Sequence, residues 1–179
     1  GKLATVNFSG DKAVKVDTTL TTITTIDASK ATAGLNVNSI GVSNLTFTGG
    51  SGDDRINLVQ TLTSADKIDG GTGTDTLGID RATELTTANA ANIKGFEVLE
   101  LTGATGGNLD VDTLITNNAL TGIKVSGAGT SGGVININSA AVNNISVTNA
   151  TATSLTFAGK EFVAGGSSDT ATIILDNSA

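Results

Sequence analysis

The sequence has no cysteine, histidine, methionine, proline, tryptophan or tyrosine, and only 5 phenylalanines in 179 residues. Each gap removes a class of protein. Without cysteine there are no disulfides and no thiolate metal sites. Without His, Cys or Tyr the usual nucleophile–base pairs cannot be assembled. Without Trp or Tyr the chain has no indole or phenol ring to stack on a sugar. A compact globular core normally fills irregular space with large aromatics and methionine, which are almost wholly missing here. No run of about 18 apolar residues occurs, so no membrane-spanning helix is expected. Cations are scarce as well: 10 Lys and Arg stand against 17 Asp and Glu, a net charge of −7. That balance argues against nucleic acid, whose phosphates need clustered Lys and Arg, and against a basic membrane-surface patch.

What remains is Leu, Ile, Val and Ala spread evenly among Thr, Asn, Ser and 23 Gly. β-Branched residues favour extended structure. An interior made of small branched side chains suits a thin, regular stack of coils, a β-solenoid. Two-residue alternation recurs along the chain, for example at Leu3 to Phe8, Leu35-x-Val37, Leu45-x-Phe47, Ile56-x-Leu58, Leu77-x-Ile79, Leu99-x-Leu101, Leu109-x-Val111, Ile123-x-Val125 and Ile145-x-Val147. Each stretch is bounded by Gly, Asn, Asp or Ser and reads as a short strand.

Two segments share a nonapeptide pattern, G-G-x-G-x-D-x-U-x with U a large apolar residue: 49–57 and 70–78. They begin 21 residues apart, and the same offset carries Phe47 onto Ile68, Asp54 onto Asp75, Ile56 onto Leu77 and Leu58 onto Ile79. Inward positions fall on inward positions, so this is a repeat. Leu101, Val125 and Val147 begin similar units at offsets of 24 and 22. The expected fold is therefore all-β: a right-handed parallel β-helix or β-roll with coils of about 20–25 residues, one solenoid domain over 1–179. One departure is expected over 86–95, where Thr86 suits an N-cap, the middle is Ala-rich and Gly95 suits a C-terminus; this reads as a short helical insertion.

The chemistry of the two turns points to calcium. Glycines admit positive φ and let carbonyls face a common centre, and Asp adds a hard anionic oxygen. Calcium takes six to eight oxygens at about 2.3–2.6 Å and tolerates irregular arrangements. In a tandem nonapeptide roll one coil is about 18 residues, so a 21-residue spacing stacks the loops directly. The candidate ligand set is Asp54 and Asp75 with loop oxygens around Gly49, Ser51, Gly70 and Thr72; Asp53 and Asp69 supply further oxygens or negative potential. The turn at Gly165 to Thr170 is a decayed version, and those at Gly103 and Gly127 lack the Asp and read as metal-free.

These residues resemble the RTX proteins, secreted bacterial proteins named for this nonapeptide. The pattern Asp69 to Leu77, a helix-like span, then Ile93 to Leu101 is similar to calcium-dependent surface-layer (S-layer) proteins of Gram-negative bacteria. The likeness covers about 44–102; its departure is the scarcity of good repeats. It implies type I secretion, calcium-triggered folding outside the cell and assembly with copies of itself into a lattice at the cell surface. It also implies contact with lipopolysaccharide or other surface polysaccharide through other parts of a longer parent chain, of which Gly1 to Ala179 reads as a piece. A calcium-folding module of a secreted enzyme or toxin, or an adhesin, are the alternatives. Catalysis is not expected: Asp110 and Asp112, read as sharing a strand face, and Asp66 near Asp69 look like solvated carboxylates, and Arg55 and Arg81 look isolated. The Thr-rich run Thr18 to Ile26 occurs once, too little for a repeated ice-binding array.

Overall fold

The computed structural model describes residues 3–17, 21–40, 44–59, 62–80, 85–103, 108–127, 134–137, 139, 141–148, 156–158 and 172–175, with side chains described at all of these but 39, 134, 156–158 and 172–175. Within them, odd-numbered strands build one wall of a solenoid: β1 (Thr5–Gly10), β3 (Thr25–Ala31), β5 (Thr46–Thr48), β7 (Lys67–Asp69) and β9 (Ile93–Lys94) form a five-stranded sheet. Even-numbered strands build the other, an eight-stranded sheet of β2 (Val14–Val16), β4 (Leu35–Ile40), β6 (Arg55–Leu58), β8 (Thr76–Ile79), β10 (Val98–Leu101), β12 (Gly122–Val125), β14 (Asn144–Val147) and β16 (Thr172–Leu175). After β9 the odd wall restarts as a three-stranded sheet of β11 (Leu109–Asp110), β13 (Val134–Asn136) and β15 (Thr156–Ala158). Within each sheet every strand pairs in parallel with the next but one in sequence, β9 and β11 being the break, so each circuit of the chain is one coil laid on the last. This is the parallel β-helix architecture that the composition and repeat predicted.

The register follows the repeat. Phe47 pairs with Ile68, Ile56 with Leu77 and Leu58 with Ile79. The longer offsets hold too: Leu101 pairs with Val125 and Val125 with Val147. Apolar side chains therefore form columns along the axis. One column runs Ile26, Phe47, Ile68 and Ile93; another runs Val37, Ile56, Leu77, Leu99, Ile123 and Ile145. Each of these is at most 1% exposed, and burying such a side chain contributes roughly 1.5–3 kcal/mol.

Two expectations need correction. The helix expected over 86–95 is a single turn, α1 (Thr87–Ala90), capped as predicted by Thr86, whose hydroxyl accepts from the Asn89 backbone N–H. The chain then turns back into the wall as β9, because Ile93 stacks on Ile68 and burying it outweighs another helical turn. Gly95 still takes positive φ (+72°), but it follows a strand. The second correction concerns Asp110 and Asp112, which do not share a strand face. β11 stops at Asp110, whose Oδ1 accepts the Asp112 N–H, and Asp112 begins a one-turn helix, α2 (Asp112–Ile115).

The outer face of the eight-stranded sheet carries a polar chain that crosses the coils. Asp17 accepts from the Asn38 side chain, and Asn38 Oδ1 accepts from Arg55 Nη1 at 2.9 Å. Arg55, read as isolated, reaches over β8 to Glu100: Nε lies 2.6 Å from Oε2. Glu100 Oε1 takes the Ser126 hydroxyl at 2.6 Å and Lys124 Nζ at 3.2 Å. Gly78 keeps β6 and β8 close beside this chain, since a Cβ there would lie 2.6 Å from Asn57 Oδ1, and the Thr102 hydroxyl reaches that same oxygen at 2.9 Å. Burial pushes the Glu100 carboxyl up, but Ser126 and Arg55 outweigh it and hold it below the usual carboxylate range.

Candidate metal centre

A solenoid corner leaves backbone amides that no strand partner reaches, and a buried amide without an acceptor is costly. In this chain side chains of the following coil supply the acceptors. Asp54 Oδ1 takes the Leu35 N–H at 2.7 Å. One coil on, Asp75 Oδ1 takes the Asp54 N–H at 2.7 Å, and Glu97 Oε2 takes the Asp75 N–H at 2.8 Å. The three carboxylates form a file along the axis, 21 and then 22 residues apart. A second corner uses the same device: Asp66 Oδ1 accepts from Leu45 N at 2.7 Å and Asn118 Oδ1 from Phe96 N at 3.0 Å. Asp66, expected to be solvated, is 2% exposed; its other oxygen takes the Thr63 N–H and hydroxyl.

The two glycine turns stack in direct contact, as the spacing predicted. Gly49 N donates to Asp69 O at 2.8 Å and Thr72 N to Gly50 O at 3.0 Å. A Cβ on Gly49 would stand 1.8 Å from Gly70 O, and one on Gly52 2.5 Å from the Ala33 carbonyl carbon. Positive φ belongs only to the second turn, at Gly71 (+98°) and Gly73 (+137°). The first turn's glycines are therefore required by closeness of the coils, where the sequence reading invoked backbone conformation.

Of the sequence-predicted residues, Asp54 and Asp75 come together, buried at 1% and 0% exposure. Ser51 is exposed, and its N–H goes to Ala31 O of the preceding coil. Asp53, also exposed, accepts the Thr74 N–H through Oδ1. Asp69 accepts the Gly71 N–H at 3.2 Å and pairs with Lys94 at 2.9 Å. Glu97 is the member the sequence reading missed; the 21-residue offset from Asp75 lands on Phe96, and only the 22-residue step from Ile79 to Leu101 points to Glu97.

The two Asp residues differ in one respect. Asp54 Oδ2 accepts the Gly50 N–H at 2.7 Å. The matching donor for Asp75 is Gly71 N–H, and that group is turned to Asp69. Asp75 Oδ2 is left buried with no hydrogen-bond partner. Comparison with protein families, curated proteins and solved structures finds no match to this chain. Its chemistry therefore rests on these atoms alone. Among the described residues no three acidic side chains converge as a cage; they stand in file. The buried, partnerless Asp75 Oδ2 is the one atom of the file with the chemistry of a hard ligand such as calcium takes.

The same burial pushes the Asp75 carboxyl up from 3.8 to about 7, with Asp54, Glu97 and Asp53 adding repulsion. Burial raises Asp54 too, against the pull of the Leu35 and Gly50 amides. A folded pKa above the unfolded one means the native state holds a proton that the unfolded chain has released. The Asp75 contribution to stability is therefore full below about pH 4 and is lost as pH rises through about 7. In chelator, denaturant unfolding at pH 5 and pH 8 should show this loss, and Asp75→Asn should remove the part of the difference due to this group. An unchanged pH difference in the variant would refute the assignment.

Proposed function

We propose that this chain is a non-catalytic structural segment of a secreted, calcium-responsive bacterial surface-layer scaffold, folded outside the cell after type I secretion and assembled with copies of itself. The observation that carries the reading is Asp75 Oδ2, buried without a hydrogen-bond partner beside a file of carboxylates. A cation there would relieve both the desolvation and the repulsion along the file. The parallel solenoid supports the scaffold half of the reading: its coils stack in one direction, and the strand edges at the ends of such a stack are natural contact surfaces.

Extracellular calcium modules are tuned to dissociation constants of about 10⁻⁴–10⁻³ M. At about one hundred times the dissociation constant, binding to the folded state alone stabilises it by about 2.7 kcal/mol. Thermal melts followed by far-ultraviolet circular dichroism, since the chain has no Trp or Tyr, should shift upward with millimolar calcium and return with chelator. A melting temperature indifferent to calcium would sink the calcium half. Electron microscopy tests the scaffold half: calcium-dependent sheets or filaments are expected, and persistent monomers count against it.

A further inference from the structure

Asn7 on β1 pairs with Asp27 on β3, and Ser9 pairs with Lys30, so between these pairs β3 spends two residues, Ala28 and Ser29, where β1 spends one, Phe8. This is a β-bulge, which breaks the ladder locally and re-aims the side chains beside it. Phe8 and Ala28 pack on the core, while Asn7, Ser9 and Lys30 are exposed. A cavity of about 250 Å³ lies over the bulge, lined by Asn7, Phe8, Ser9, Asp27 and Lys30. Its two ends carry opposite charge: Asn7 with Asp27 at one, Ser9 with Lys30 at the other, two residues on along β1, or roughly 6.6 Å at the usual rise. Ser29, through its side chain and its backbone N–H (2.9 Å to Oδ1), holds the Asp27 carboxyl below the usual carboxylate range, and Lys30 adds attraction. Yet Asp27 and Lys30 make no salt bridge, and no other carboxylate takes up Lys30 among the described residues. Asn7 and Ser9 likewise commit no side-chain polar atom to the described protein.

We propose that this cavity binds a small zwitterion of the α-amino acid class, its ammonium donating to Asp27 and the Asn7 side-chain oxygen, its carboxylate accepting from Lys30 and the Ser9 hydroxyl. Two opposite charges on one rim, held apart with an amide and a hydroxyl beside them, are complementary to a dipolar molecule. A neutral polyol would leave both charges unanswered. A simple ion would answer one and be repelled by the other. The volume suits one such small molecule. The cavity lies on β1 and β3, ahead of both glycine turns, and does not depend on the calcium reading.

The test is titration of the isotope-labelled full chain with L-alanine at low salt, followed by amide shifts in nuclear magnetic resonance. Saturable shifts at Asn7, Ser9 and Ser29 are expected at about 10⁻³–10⁻² M, the range for so small a ligand in an open cavity. Asp27→Asn keeps an oxygen for the Ser29 N–H and Lys30→Gln keeps a polar tip, so both should fold. Each is expected to weaken binding about tenfold, the scale of one charge-assisted hydrogen bond. Ammonium acetate, which offers the same charges on separate molecules, and glucose should give no saturable shift at these amides. No saturable shift with alanine overturns the site, and an affinity unchanged in either variant overturns the two-ended seat. Shifts from ammonium acetate or glucose equal to those from alanine overturn the assignment to a zwitterion. If a variant does not fold, added sodium chloride decides on the wild-type chain: alanine affinity should fall as the exposed charges are screened, and an affinity indifferent to salt refutes the charged seat.

Discussion

Gly49→Ala is expected to destabilise the fold by at least about 3 kcal/mol, at or beyond the upper end of ordinary overpacking. The new methyl would stand 1.8 Å from Gly70 O, 2.7 Å from the Gly70 carbonyl carbon and 2.6 Å from Asp54 Oδ2. Two of those three atoms are backbone, so no rotamer change relieves the clash. Separating the coils would stretch the Gly49–Asp69 and Thr72–Gly50 hydrogen bonds on either side. Gly122→Ala is the control. Its Cβ would meet nothing nearer than Asn144 O at 3.5 Å, an ordinary contact, and its φ is not positive. That variant should be neutral or gain about 0.4–1 kcal/mol from the stiffer unfolded chain. Denaturant unfolding by circular dichroism compares the two; equal stabilities would mean that the coils are not in contact at Gly49.

Asp54→Ala is expected to cost about 2–6 kcal/mol, because it strands two amides, Leu35 N–H and Gly50 N–H, at about 1–3 kcal/mol each. Asp54→Asn is also unfavourable, since one half of a carboxamide is a donor and both of its neighbours here are donors. Asp75→Asn should behave in the opposite sense at neutral pH without calcium. Its carboxamide oxygen can keep the Asp54 N–H, and the change removes a carboxyl whose charged form burial penalises. The pattern expected in chelator is a large loss for Asp54→Asn and little or none for Asp75→Asn. Equivalent losses would show that the two positions are interchangeable, contrary to the diverted Gly71 amide.

Much of this architecture is written in local pattern. The 21-residue offset, the columns from Phe47 to Ile68 and from Ile56 to Leu77, and the meeting of Asp54 with Asp75 are all legible from spacing. Parallel coils must place equivalent residues on one another, and a one-residue slip would turn every inward side chain outward. The Thr86 cap was legible for the same local reason, a hydroxyl three residues before the amide it accepts. The rest depends on atoms distant in sequence. That Asp53 and Asp54 take amides of neighbouring coils follows from the path of the loops, whereas the Asp69 contact with the Gly71 N–H is local to its own turn. Arg55 finds Glu100, far along the chain, only because β6, β8 and β10 stack in register. The helix expected over 86–95 shrank to one turn because the column from Ile68 to Ile93 claimed its second half. Sequence alone determined the solenoid, its period and its register, since these follow from side-chain size and alternation. Tertiary structure alone decided which amides the aspartates cap, because only the stacking of coils brings the Leu35 N–H to Asp54 and the Asp54 N–H to Asp75.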